Sequence, residues 1–433
     1  MKNHESHGDS LQNDWERRLD LIVDMMRDVS RERDPQQMVR TYGKRIRQLV
    51  PADAIVGLSR RDLGFPHYKV TRASIWEREV NPWVERDRLP VYREGFFGEL
   101  IYGDLPRIID DLKIEPGDPA AEFLAGQQSI AAIPLYDQGV ALNMVILARQ
   151  QRGAFDRDEF PEMVWVSNLF GRATHNLVLS EELQRAYDIV DHELKVVADI
   201  QRSLLPTAIP HIPTLDLAVS YQTSRWAGGD YYDFFQLPDG RWGLLIADVS
   251  GHGTPAAVIM AITHGIAHAH PGPPSPPSRM LNFVNHHLAT RYTAESGAFV
   301  TAFYGVYDPA TRSLTYSSAG HNPPRLKRCH RGGAVISLDG AQKMPMGIDH
   351  GQSFHEETIQ LLPGDQVVFY TDGITEAENP EGKLFGVDRL DEVLTCNRGG
   401  AEEIVQAVLA AVERFTAGAP PGDDRTLLVA GVH

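Results

Sequence analysis

The chain has 433 residues, with 42 lysines and arginines against 58 aspartates and glutamates, for a formal net charge of −16. So acidic a chain lacks the positive surface that nucleic acid or an anionic membrane demands of a main partner, and the charge is neutral on protein partners. At 42% hydrophobic and 23% charged residues it reads as an ordinary soluble globular protein, too long for one domain and expected to hold two or three.

Residues 1–14 are polar, carry no apolar run of a secretory signal and are expected to be a disordered tail. A helix is predicted from Trp15 to about Arg31, with Leu19, Ile22, Val23, Met26 and Val29 on one side. Asp34 and Pro35 have the N-cap and first-turn chemistry of a second helix that runs through Leu49. Strands follow at Ala54–Ser59, Lys69–Ile75, Ser129–Tyr136 and Ala141–Arg149, the last two joined by the hairpin signal Asp137-Gln138-Gly139. Pro134 and that turn interrupt the most apolar stretch, Ile130–Ala148, so it reads as two strands and not as a membrane span. Another helix is predicted from Glu159 to about Val178. Residues 15–178 then make a compact α+β domain.

This layout, the segment IAAIPLYDQGVALNMVILARQ and the GAFDRDEF before the last helix resemble a GAF sensor domain. The resemblance implies either a small-molecule ligand or a dimerising module without one. The region has no cysteine, so a thiol-linked tetrapyrrole is not expected, and the cyclic-nucleotide signature of that family does not match.

From Leu177 to about Leu205 the chain has neither glycine nor proline. Leu179, Leu183, Ala186, Val190, Leu194, Val197, Ile200 and Leu204 fall at spacings close to a heptad seam, with a stutter between Val190 and Leu194. Residues 179–205 therefore read as a helical coiled-coil linker that would make a parallel homodimer, with a single amphipathic helix as the plainer reading. Pro206 stops it.

Residues 206–433 read as a second domain rich in antiparallel strands, with helices expected at 254–270, 278–291, 386–395 and 401–416. Its two cysteines, Cys329 and Cys396, fit neither a zinc spacing nor a disulfide framework. Acidic residues recur there beside glycine or proline, in GGDYYD (228–233), ADVSGHG (247–253), LPGD (362–365), YTDG (370–373) and PGDD (421–424). Apolar strands end in Asp248 and in Asp372, Asp423 precedes a strand, and Asp230 precedes another. A carboxylate at the end of a core strand is costly without compensation, and no lysine or arginine cluster accompanies these. Bound divalent cations are the economical explanation, and hard oxygen ligands select Mg²⁺ or Mn²⁺. Two ions about 3.5–4 Å apart would share a hydroxide and clamp a phosphoryl group for in-line attack.

Taken in order, EL-KVVADIQRSLLP, GGDYYD, ADVSGHGTPAA, FVTAFYGVYDP, SSAGHNPP, MPMGI, YTDGITEAEN, LFG and GDDRTLLV resemble the metal-dependent PPM phosphatases of the protein phosphatase 2C superfamily, in the branch typified by sporulation stage II protein E. The resemblance covers about residues 185–433. It implies that Asp248 bridges two metals, that the Val249 carbonyl is a ligand of one, that Asp372 and Asp423 hold the other, and that Asp230 completes the shell directly or through water. Asp424 stands where the wider superfamily often has asparagine. Asp233 reads equally as a residue supporting the site or as a strand-edge carboxylate, and Asp365 as a turn residue without chemistry. His252 is a candidate proton donor to the leaving oxygen, with an inert loop histidine the preferred reading. His321 and Asn322 either border a substrate groove or hold a turn. His264 and His268 have i, i+4 metal-ligand spacing, with His270 nearby, but no HExxH glutamate, and are read as helix-surface histidines. Neither a Gly-x-Ser-x-Gly elbow nor a phosphate-cradling GxxxxGK[ST] occurs.

The expected fold class is thus α+β: an N-terminal GAF-like α/β sensor, a helical coiled-coil linker and a C-terminal PPM-type β-sandwich flanked by helices. The implied function is a cytoplasmic, GAF-regulated protein serine/threonine phosphatase with two Mn²⁺ or Mg²⁺ ions. Its implied substrate is a phosphorylated anti-sigma-factor antagonist or similar partner-switching protein. The rivals are a catalytically silent phosphatase-fold scaffold and a ligand-binding dimerisation sensor.

Overall fold

The computed structural model describes residues 6–329 and 333–433. The chain divides into two compact units, residues 1–187 and 188–433. Among the described residues no helix is long and apolar enough to cross a membrane.

The first unit contains α1 (Ser6–Arg31), α2 (Pro35–Leu49), β1 (Ala54–Ser59), β2 (His67–Ala73), β3 (Val91–Arg93), α3 (Gly95–Gly103), β4 (Arg107–Ile109), α4 (Ala120–Phe123), β5 (Ser129–Asp137), β6 (Val140–Arg149) and the start of α5 (Phe160–Leu204). Its strands form one antiparallel sheet in the order β3-β2-β1-β6-β5-β4. Alternation along β6 gives the sheet two buried faces. Ile146 joins Val56, Tyr68, Phe97 and Ile101 on one side. Leu147 joins Met25, Met38, Ile46, Val166 and Phe170 on the other, under α1, α2 and α5. As the sequence suggests, the Asp34 side chain caps α2, accepting from the Gln36 N–H at 2.9 Å.

Two boundaries differ from expectation. Residues 1–5 of the expected tail lie outside the described residues, but residues 6–14 are helical and continue α1. Extending a nucleated helix fixes one residue per bond gained, so polar residues can follow the amphipathic part. There is also no break at 178/179: α5 is one helix through the expected linker, which no proline interrupts before Pro206. Leu179, Leu183, Val190 and Ile200 of the heptad pattern are exposed, whereas Leu204 packs on the core of the second unit.

The second unit contains β7 (Leu215–Gln222), β8 (Tyr231–Gln236), β9 (Trp242–Val249), α6 (Thr254–His268), α7 (Pro277–Arg291), β10 (Val300–Asp308), β11 (Ser313–Ala319), β12 (Arg325–Arg328), β13 (Ala334–Ser337), β14 (Gln342–Lys343), β15 (Glu357–Gln360), β16 (Gln366–Tyr370), α8 (Asp372–Thr375), α9 (Gly386–Cys396), α10 (Ala401–Phe415) and β17 (Arg425–Val432). One sheet runs β14-β11-β10-β9-β8, with β15 also on β11; the other runs β13-β12-β16-β17-β7. The sheets face each other through Phe303 of β10 and Phe369 of β16, whose rings lie 5.6 Å apart. Helices α6 and α7 cover the first sheet, and α9 and α10 cover the second. The result is an α/β/β/α sandwich, the layering that apolar strands buried on both faces require.

Candidate active site

Antiparallel pairing places the acidic residues at one rim. The start of β8 lies beside the end of β9, with Tyr231 opposite Ala247, so Asp230 and Asp248 leave the sheet together. The end of β16 lies beside the start of β17, with Tyr370 opposite Leu427, so Asp372 neighbours Asp423 and Asp424. Hydrogen bonds then tie the two sheets at this rim. Thr371 Oγ1 and Thr426 Oγ1 donate to Asp230 Oδ2 at 2.8 and 2.6 Å. The Thr426 N–H donates to Thr371 Oγ1 at 2.9 Å, closing the triangle.

The carboxylates perturb one another strongly. Asp230 is 1% exposed, and burial drives its pKa up against the two threonine bonds, with Asp424 and Asp372 adding to the rise. Burial also raises Asp248, followed by the charges of Asp230, Asp372, Asp423 and Asp424. Asp372 is pushed up to about 6 by burial, then by Asp423 and Glu376. Asp423 is exposed at the mouth, where its Oδ1 accepts from the Asp424 N–H. Among the described residues none of the four predicted ligands is in a salt bridge. Like charges crowded together without a basic partner suit a bound cation.

The donor set is all oxygen, which fits Mg²⁺ or Mn²⁺. The four aspartates do not form a tight single-ion cage, because no three of them bring ligand oxygens within 4.8 Å of one another. A pair of ions does not ask for that.

The loop carrying Asp230 is held from two directions. Asp424 Oδ1 accepts from the N–H and hydroxyl of Ser224, and its Oδ2 accepts from the Gly229 N–H at 2.7 Å. Gln201, near the end of α5, grips Gly228 in both senses: its Nε2 donates to the Gly228 carbonyl and its Oε1 accepts from the Gly228 N–H. Neither contact leaves room for a side chain, since a Cβ on Gly228 would lie 2.1 Å from Asp424 Oδ2. A Cβ on Gly229 would lie 2.9 Å from the Val249 carbonyl, the backbone oxygen singled out in the sequence, so that oxygen borders the same loop. Asp424 is thus a clasp whose oxygens are used by the protein. Gln201, Ser224, Thr371, Thr426 and Glu376 were not singled out in the sequence; hydroxyls and amides at strand and helix ends carry no pattern of their own.

Other candidates are sorted by burial. Asp365 stays away from the rim, as expected, at the opposite end of β16. It is more than a turn residue, being fully buried and paired with Arg328 at 2.6 Å, while its Oδ2 also accepts from the Leu362 N–H. His252 is exposed on the loop before α6. His321 does not border a groove: it is 2% exposed, its Nδ1 lies 2.9 Å from Thr301 Oγ1, and burial depresses its pKa to about 3. Asn322 beside it is half-buried.

The reading of His264 and His268 as loose surface residues is overturned. Both face Asp233 of β8, which is 6% exposed. Chain separation hid the carboxylate: α6 returns over β8 after the β9 strand, so Asp233 meets a helix about thirty residues on. His270, by contrast, does not join them: it is half-buried, its Nδ1 lies 3.2 Å from the Gly272 carbonyl, and its ring packs on Phe283.

Residues 238–433 match the model of the family described as stage II sporulation protein E, SpoIIE. Protein IcfG of Synechocystis is 25% identical over 262 residues, 54% of this chain and 41% of that protein. Two Bacillus subtilis proteins also match: phosphoserine phosphatase RsbU, 28% identical over 51% of this chain and 64% of its own length, and phosphoserine phosphatase RsbP, 26% identical over 42% and 45%. The chain therefore spans less than two thirds of each of these relatives. Among solved structures, the SiaA-PP2C domain of Pseudomonas aeruginosa superposes with a TM-score of 0.50 at 20% identity, over 57% of this chain and 99% of that one. Family match and fold agree: the second unit has the PP2C fold, and residues 238–433 within it are similar to the SpoIIE family.

Proposed function

We propose that the second unit is a metal-dependent protein serine/threonine phosphatase. The observation that carries this is the meeting of Asp230, Asp248, Asp372 and Asp423, from four separate stretches of sequence, at one rim without a basic partner among the described residues, with the carboxyl pKa values of Asp230, Asp248 and Asp372 raised. The names of RsbU and RsbP, phosphoserine phosphatases, support the same reaction.

In this reading Asp248, Asp372, Asp423 and the Val249 carbonyl would hold two Mg²⁺ or Mn²⁺ ions, and Asp230 would complete their shell directly or through water. Bound there, the ions supply Lewis acidity toward the phosphoryl oxygens and the attacking water. Thr371 and Thr426 fix Asp230 through Oδ2, so the oxygen they leave unused is the one offered to an ion. Asp424 and Gln201 keep the Gly228-Gly229 turn in place, which positions Asp230 in turn. His252, exposed near the rim, is the candidate proton donor to the departing serine oxygen.

The proposed substrate is a phosphorylated partner-switching protein of the anti-sigma-factor antagonist type, acted on in the cytoplasm. The first unit is proposed to be a GAF-like sensor. A cleft of about 720 Å³ on its sheet, lined among others by Arg40, Lys69, Arg72, Trp76 and Trp83, is where a small ligand would sit. The exposed Leu179, Leu183 and Val190 of α5 support a homodimeric helical linker. The Gln201–Gly228 contact supports transmission: a change in α5 reaches the loop that carries Asp230. Manganese-dependent release of phosphate from a phosphoserine peptide, abolished in Asp248→Asn, is the direct test. Full activity in that variant would overturn the metal assignment.

A further inference from the structure

A second cluster of ligating side chains lies on β8 and α6, separate from the aspartate rim. Asp233, His264 and His268 bring one ligand atom each within 4.8 Å of one another, alone in doing so among the described residues. His268 Nε2 lies 2.7 Å from Asp233 Oδ2, and His264 Nδ1 lies 3.8 Å from the same oxygen. The two imidazole rings are 4.3 Å apart. We propose that Asp233, His264 and His268 form a transition-metal site, of the class that takes Zn²⁺, distinct from the Mg²⁺ or Mn²⁺ rim.

The geometry asks for little movement. Ligands of a tetrahedral zinc ion stand about 3.3 Å apart, from bonds near 2.0–2.1 Å. The Asp233–His268 pair must open by roughly 0.6 Å and the Asp233–His264 pair must close by about as much. His264 and His268 are one helical turn apart, so both rings follow from one helix face. The chemistry points away from the rim's metals, since two imidazoles and one carboxylate favour zinc-like ions over magnesium. Three protein ligands leave a fourth position open, and the half-exposed ring of His268 leaves a path from solvent.

The surroundings suit a site more than a simple ion pair. Among the described residues Asp233 has no lysine or arginine partner; its Oδ2 accepts from Tyr231 Oη at 2.5 Å and its Oδ1 from the Phe234 N–H. Burial and the neighbouring His268 lower the pKa of His264, which favours the neutral ligating form. Tyr231 Oη also lies 3.2 Å from His264 Nδ1, the nitrogen that faces the site, and would give way to the metal there. Phe235 packs against the His268 ring at 5.1 Å. The site would pin α6 to β8, which directly follows Asp230.

The test is Co²⁺ and Zn²⁺ titration of the full chain in the Asp248→Asn background, where the aspartate rim is disabled. The expected result is one Co²⁺ per chain with visible absorption bands, displaced by Zn²⁺ and not by millimolar Mg²⁺. His268→Gln should weaken binding at least about 10-fold, and His264→Gln likewise. His268 is half-exposed, so His268→Gln is expected to keep the parent's circular dichroism and melting temperature without metal. Binding unchanged in both histidine variants, or no Co²⁺ binding in the Asp248→Asn parent, would overturn the proposal.

Discussion

Thr426 Oγ1 donates to Asp230 Oδ2 over 2.6 Å, joining residues 196 positions apart and the rims of two sheets. A hydrogen bond to a buried carboxylate contributes about 1.5–3 kcal/mol. Thr426→Val keeps the shape and removes the donor, so the Asp230 carboxyl holds its proton more tightly. The expected outcome is a loss of about 10- to 100-fold in Mn²⁺ affinity, read from the metal dependence of phosphatase activity, with activity largely restored at saturating metal.

Gly228→Ala tests the clasp. The added methyl would lie 2.1 Å from Asp424 Oδ2, and three hydrogen bonds hold that carboxylate, so it cannot swing aside. Overpacking of this kind costs about 1–3 kcal/mol. Here it also displaces Asp230. A lower melting temperature together with loss of Mn²⁺-dependent activity is expected; a variant with wild-type metal affinity would show that the loop position does not matter.

Raised carboxyl pKa values give the metal-free protein a definite pH dependence. An acid whose folded pKa lies above its unfolded value stabilises the fold fully below the unfolded pKa and loses that contribution as pH rises through the folded one. Asp372 moves from its ordinary 3.8 to about 6, and Asp230 and Asp248 move in the same direction. With chelator present, stability should therefore fall from about pH 4 through pH 6 and beyond. Metal requires the same carboxylates deprotonated, so the stabilisation by Mn²⁺ should grow over that range. Melting curves at several pH values, with Mn²⁺ and with chelator, check both signs; parallel curves would contradict them.

Much of this site was legible in the sequence, and the reason is topological. Asp230, Asp248, Asp372 and Asp423 each flank a run of sequence that forms β8, β9, β16 or β17. An antiparallel sheet then leaves its strand ends few places to meet. What supports those aspartates was not legible, because Thr371, Thr426, Ser224 and Gln201 gain meaning only from contacts across the fold. Asp233 and His268 failed for the same reason, since helical spacing revealed the histidines but not the strand they cover. In the first unit, β3, β4, α3 and α4 are nine residues or shorter, below the length at which periodicity separates a strand or helix from a loop.

Gln201→Ala probes the proposed link between α5 and the rim. The substitution leaves both backbone groups of Gly228 without their buried partner, at a cost of about 1–3 kcal/mol. If α5 sets the position of Asp230, the variant should need more Mn²⁺ for half-maximal activity and should lose any difference between the full chain and residues 188–433. An unchanged metal requirement would mean that the helix end is only a structural support.

Asp365→Asn offers the contrast that separates a folding carboxylate from a ligating one. Asp365 is as buried as Asp230 but sits at the other end of β16, against Arg328. Removing one partner of a buried ion pair costs about 3–5 kcal/mol, because the other charge is left uncompensated. Asp365→Asn should therefore lower the melting temperature markedly, with or without metal, while the folded fraction keeps its Mn²⁺ affinity. Asp248→Asn should do the reverse. It removes a self-repelling charge from a crowded rim, so the chelated protein should be no less stable, and the stabilisation by Mn²⁺ should disappear. Thermal melts of both variants with Mn²⁺ and with chelator give four numbers, and only a ligating role for Asp248 and a purely structural one for Asp365 predict that pattern.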